Sequence, residues 1–196
     1  MAWCPLKDKV FLVLGNPATH SVKYGMFFFS KSNMGRHNIW KKFDDAELIT
    51  LINYSNLKDL SKMQMREKEA NEKKKMILNG QTSKKYLVGL TTFYSLPTPV
   101  VPKYDFSDVK GARKFLSPII DRIDQMEANR ILNYPFSTSA TLVFVQKDSF
   151  TEFTKQISSA ENKKYKRLIF WPAVSRKRGA LNSGQDLLKM LENECD

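Results

Sequence analysis

With 196 residues, 42% of them hydrophobic, the chain has material for one domain with a real core. Its 32 basic and 20 acidic residues give a formal net charge of +12; this speaks to partners rather than fold, and points to nucleic acid, an anionic membrane surface or an acidic protein. A disulfide framework is not expected, since Cys4 and Cys195 are the only cysteines, and a membrane span is excluded, since no run reaches roughly 18 apolar residues.

Residues 9–14 (KVFLVL) read as a buried strand, stopped by Gly15-Asn16-Pro17 and too short for the core of a secretory signal. Ala2 stands where myristoylation needs Gly. Residues 22–30 (VKYGMFFFS) read as an aromatic strand bent at Gly25, or as a short helix, and 38–43 as a further short strand. Asp44 and Glu47 have capping-box spacing for a helix carrying Leu48, Ile49, Leu51 and Ile52. A second helix is expected over 57–78, with an apolar stripe that fades after Met65. Beyond it REKEANEKKK is polar all round, and 66–85 is expected to be the most mobile part of the chain.

Residues 86–95 (YLVGLTTFYS) read as a strand. Pro97, Pro99 and Pro102 keep the next stretch extended, and Ser107 and Asp108 can cap a helix. Ser117-Pro118 is a restart, with Ile119, Ile120, Ile123 and Met126 as the buried stripe. Residues 139–146 form a strand, Ser149 and Glu152 box a helix with Phe150, Phe153 and Ile157, and 167–172 form the last strand. A helix over 185–194 presents Leu187, Leu188 and Leu191. The expected fold is α+β: a single domain, 1–196, with a mainly antiparallel sheet of about five strands covered by helices. A three-layer arrangement is the alternative, because helix and strand alternate in the second half.

Neither His20 nor His37 has a partner at metal-ligand spacing, and there is no phosphate-binding glycine loop. Asp121 and Asp124 lie three apart on a helix, with Arg122 between them, and read as a solvated face. No catalytic residue, metal or cofactor is expected. The basic clusters are the candidate anion-binding site, for nucleic acid or lipid headgroups: Lys73, Lys74, Lys75, Lys84, Lys85, Lys163, Lys164, Lys166, Arg167, Arg176, Lys177 and Arg178. The last seven flank the strand that carries Phe170 and Trp171; their two clusters also look like a bipartite nuclear localisation signal.

Met26-Phe27-Phe28-Phe29-Ser30 followed by a basic stretch, Phe43-Asp44-Asp45 opening a helix, and the strand Lys84 to Leu90 are similar, in order, to rhabdovirus matrix proteins. Tyr134-Pro135-Phe136, the strand 140–145 and the Ser149 helix continue the resemblance. It implies a non-enzymatic virion structural protein that self-associates into a homo-oligomer and takes no small-molecule substrate. Its basic patches would engage a nucleoprotein–RNA complex and, peripherally, an anionic membrane, where each Lys or Arg contributes about 1 kcal/mol. The compartments implied are the virion and host cytoplasm, with the nucleus as a further one. An RNA- or DNA-binding accessory protein is the alternative. A second alternative rests on Gly15-Asn16-Pro17, His20-Ser21, Gly35 and Phe43-Asp44, which resemble the start of shikimate dehydrogenase substrate domains. Lys23-Tyr24 stands where that family has Ser-Pro, its catalytic Lys motif has no match, and its cofactor-binding domain would not fit in the chain.

Overall fold

A computed structural model describes residues 8–17, 19–23, 25, 27, 29–30, 35–36, 38–50, 61–78, 85–95, 100–101, 104–105, 113–135, 139–157, 167–172 and 183–193. Four strands, β1 (Asp8–Leu14), β4 (Tyr86–Thr92), β7 (Thr141–Phe144) and β8 (Leu168–Phe170), form one sheet in the order β4-β1-β7-β8. Every pairing in it is parallel: Leu12 lies opposite Leu90 on one side and Val143 on the other, and Val143 opposite Ile169. Two-residue strands make two small antiparallel ladders, β2 (Phe29–Ser30) with β3 (Gly35–Arg36) and β5 (Val100–Val101) with β6 (Tyr104–Asp105).

The expected mainly antiparallel sheet of about five strands is therefore wrong. The physical reason lies in the strands themselves. An antiparallel sheet with one wet face alternates apolar and polar residues, whereas a parallel sheet is covered on both faces and its strands are apolar throughout. β7 (TLVF) is buried at every position, and β1 from Val10 to Leu14 likewise. Val10, Leu12 and Leu14 point into one core, while Phe11 and Val13 point into the other.

The first core is closed by α2 (Asn38–Asp45), through Ile39, Trp40 and Phe43, by Ala70 of α3 (Lys62–Leu78), and by Leu187 and Leu191 of α6 (Gly184–Asn193). The second is closed by Ala128 and Ile131 of α4 (Ile120–Leu132) and by Phe153 of α5 (Lys147–Ile157). The result is three layers, helix, sheet and helix. Crossovers between parallel strands take one hand, so reversing direction along the sheet moves the covering helices to the other face. The chain runs outward from β1 to β4, then back across β1 to β7 and β8, and the helices change face accordingly.

Several local expectations are corrected. Residues 38–43 are helical, because Ile39, Trp40 and Phe43 fall on one helical side and all three are buried. Glu47 opens no helix; it ends α2. The Leu48 N–H bonds the Phe43 carbonyl at 2.9 Å and the Glu47 N–H the Asp44 carbonyl at 2.9 Å, with Glu47 at φ 58°. This is a left-handed stop of the kind usually made by glycine. Among the described residues of the 22–30 segment, Val22 and Lys23 end the helix α1 (Thr19–Lys23), and Phe29 and Ser30 form β2. The capping boxes that do form are Ser61 with Gln64 and Ser183 with Asp186. Ser149 is instead buried within α5. The expected stripe on α4 is rotated: Ile119 and Met126 are exposed, and the buried positions are Asp124, Glu127, Ala128 and Ile131. Leu51, Ile52, Leu57, Leu60, Ser107, Asp108, Cys4 and Cys195 lie outside the described residues.

Candidate ligand-binding site

β1 and β4 end side by side, and their pairing runs on past the strands. The Phe93 N–H bonds the Leu14 carbonyl at 2.7 Å and the Tyr94 N–H bonds that of Gly15 at 3.1 Å. These bonds hold the turn after β1 against the turn after β4. On the β7 side the Gln146 side chain lies directly over Gly15 and leaves no room there for a Cβ. On the β4 side the space is open, and a cavity of about 290 Å³ remains. Pro17 and Ser21 form one wall, Gly25 and Phe27 a second, and Thr92 and Ser95 the third.

Each wall has a local cause. Pro17 cannot extend β1, so the chain turns away, and α1 brings Ser21 and Val22 over the strand ends. α1 then stops at Gly25, whose N–H bonds the Val22 carbonyl at 2.8 Å in the left-handed conformation, φ 58°, that glycine adopts readily. A Cβ on Gly25 would lie 2.9 Å from Lys74 Nζ, so the α3 ammonium reaches over this wall.

The third wall is fixed by carboxylates of α4. Ser95 donates to Glu127 Oε1 through both its backbone N–H, at 2.8 Å, and its hydroxyl, at 2.6 Å. Arg130 holds the other Glu127 oxygen at 2.6 Å and donates to Thr91 Oγ1 at 3.1 Å and to the Thr92 and Phe93 carbonyls. One residue earlier, the Tyr94 hydroxyl donates to Asp124 Oδ1 at 2.6 Å, and Arg113 binds Asp124 Oδ2. Arg113 also donates to the Tyr94 oxygen at 2.8 Å and lies 3.4 Å from Glu152. Burial, then the bond to Asp124, pushes the Tyr94 hydroxyl well above its ordinary pKa of 10.0. It stays a neutral donor.

Asp121 and Asp124 therefore do not share a solvated face: Asp121 is exposed and Asp124 is fully buried. Glu127 already accepts from Ser95 and Arg130, so the Ser95–Glu127 pair positions a loop and does not activate a nucleophile. Among the described residues no three His, Cys, Asp or Glu side chains gather as a metal-binding group. The described lining is an apolar pocket with the hydroxyl residues Ser21, Thr92 and Ser95 and an ammonium beside it.

Of the basic residues singled out from the sequence, Lys74, Lys75, Lys85 and Arg167 have described side chains. Lys85 precedes β4 at the opposite, amino-terminal edge of the sheet, where it is paired with Glu192 of α6 at 2.7 Å and sits over the Tyr86 ring. The bond to Glu192 raises its pKa above the ordinary lysine range. Arg167 precedes β8 at the same edge and its carbonyl accepts from the Leu142 N–H at 3.0 Å. β4 and β8 are the two outer strands, three spacings apart, which separates their starts by about 14 Å. On α3, Lys75 lies 3.6 Å from Glu72, and Lys74 alone is placed at the cavity wall. Lys73 lies on α3, its side chain outside the described set, as are residues Lys84, Lys163, Lys164, Lys166, Arg176, Lys177 and Arg178.

Comparison of the chain with family models, curated proteins and solved structures gives no match. Among the described residues no helix is long and apolar enough to cross a membrane.

Proposed function

We propose that the chain is a binding domain for a small molecule, held at the carboxyl edge of the parallel sheet between β1 and β4. The observation that carries this reading is the position of the 290 Å³ cavity. In open parallel sheets ligands sit outside the carboxyl ends of the strands, where the strand order reverses. In the order β4-β1-β7-β8 that reversal lies between β1 and β7, where Gln146 lies over Gly15; the cavity sits next to it, at the carboxyl ends of β1 and β4. A volume near 300 Å³ is at the small end of ligand pockets, so the ligand is compact. The segment that resembles shikimate dehydrogenase substrate domains supplies two of its walls through Pro17, Ser21 and Gly25. Binding, without catalysis, is the reading adopted, because among the described residues no activated nucleophile or proton-transfer pair faces the cavity.

A second reading, a matrix-type structural protein or an RNA-binding accessory protein, is favoured by the net charge of +12 and by α3, which exposes Glu67, Lys68 and Lys75. The two are separated by measuring the melting temperature against a library of small metabolites, beside flotation with anionic vesicles and an RNA shift assay across salt. A melting shift from a small molecule, with amide perturbations at Ser21, Thr92 and Ser95, supports the first. RNA affinity that falls steeply with salt, with no small-molecule response, would replace it by the second.

A further inference from the structure

Lys74 differs from the other lysines around it. Its neighbours at three and four positions along α3 are Ala70, Asn71, Ile77 and Leu78, none of them acidic. Lys75 has Glu72 three residues back, at 3.6 Å, and Lys73 has Glu69 four back. A long, flexible ammonium with no carboxylate three or four residues away on its helix ordinarily extends into water. Here it folds onto Gly25 instead, and the approach is open only because Gly25 carries no Cβ and holds φ 58°.

Gly25 lines the cavity, and the rest of its described lining is apolar or hydroxylic: Pro17, Val22, Phe27, Ser21, Thr92 and Ser95. The Ser95 hydroxyl already gives its proton to Glu127, so toward the cavity it can only accept. The two carboxylates that fix the Ser95 wall, Glu127 and Asp124, are each held by an arginine. Among the described residues, the cation placed beside the Gly25 wall without a carboxylate partner is Lys74. We infer that the cavity takes a compact carboxylate with an apolar body, whose anionic group is bound by Lys74 across Gly25. This rests on the small-molecule reading above and names its ligand class.

The test is NMR titration of the full chain with benzoate and with benzamide, of the same shape but neutral, read at the amides of Ser21, Thr92 and Ser95. Lys74→Gln is the variant and Lys75→Gln the control, since Lys75 is exposed and paired with Glu72. Benzoate is expected to shift these amides and benzamide to shift them far less. Lys74→Gln should weaken benzoate by roughly tenfold or more, the loss typical of a hydrogen bond to a charged group, and leave benzamide unchanged. An unchanged melting temperature for Lys74→Gln shows that the fold is intact. Equal binding of benzoate and benzamide, or equal benzoate affinity in Lys74→Gln and the parent chain, overturns the anion inference and leaves the small-molecule reading standing. Failure of both probes to shift any of the three amides overturns the two together.

Discussion

Replacing Asp124 by alanine tests what fixes the wall of the cavity. The Asp124 side chain is only 1% exposed and accepts from the Tyr94 hydroxyl and Arg113, whose side chain is 23% exposed. Removing one partner of a buried ion pair costs about 3–5 kcal/mol, because the other charge is left in the interior. Arg113 keeps Glu152 at 3.4 Å and some water, so the lower end, about 3 kcal/mol, applies. For a chain of this size each kcal/mol moves the melting temperature by about 2–4 °C, giving a drop of roughly 6–12 °C. The assay is thermal unfolding at neutral pH, with Asp121→Ala as control: Asp121 is exposed, and the change should stay within about 0.5 kcal/mol. In a double-mutant cycle, Tyr94→Phe should couple to Asp124→Ala by roughly 0.5–3 kcal/mol. A drop under about 2 °C for Asp124→Ala, or strict additivity with Tyr94→Phe, would refute the idea that this network ties α4 to the end of β4.

Three further outcomes are expected. Glu47→Gly should stabilise the chain by up to about 1 kcal/mol, since Glu47 holds a left-handed conformation that costs an L-residue about 1–2 kcal/mol; a loss in urea unfolding would argue against it. Gly184→Ala should destabilise by about 1–3 kcal/mol, because a Cβ would press on the Lys42 carbonyl and lie 2.5 Å from Asp45 Cβ where α6 meets α2; an unchanged denaturation midpoint would show that the helices can separate. The pKa of Tyr94 is raised on folding, so its contribution is complete below the unfolded value of 10.0 and is lost as pH rises above it. Stability measured from pH 8 to 11 should therefore fall more steeply in the parent chain than in Tyr94→Phe, and parallel curves would count against the buried hydroxyl.

Strand positions were readable from the sequence wherever a run was continuously apolar, as in β1 and β7; their parallel sense was available in the same residues, in the absence of polar alternation. Ile169, Trp171, Leu187 and Leu191 are buried as a strand and an amphipathic helix would have them. The orientation of α4 was not readable. Ile119, Ile120, Ile123 and Met126 give a plausible apolar side, yet the helix turns Asp124 and Glu127 inward because Tyr94, Ser95, Arg113 and Arg130 wait there. Tyr94 is 30 residues from Asp124 and Ser95 is 32 from Glu127, and local periodicity carries no such information. The clue within reach was the spacing of Asp124 and Glu127, which places both on the side of Ala128 and Ile131. The cavity was invisible for the same reason, since its walls come from two strand ends far apart in the chain.

The place of β1 in the sheet also sets the order in which the protein can form. It is made first among the strands, yet its two neighbours are β4 and β7, and β7 begins at Thr141. On the ribosome, at roughly 5–20 residues per second, its apolar side chains wait several seconds for the second partner. Such non-local pairing folds on the slow side of the small-domain range, in milliseconds to seconds. Stopped-flow refolding with full amplitude in microseconds would contradict this. If slow assembly holds, the central strand is the segment most in need of chaperone cover during synthesis.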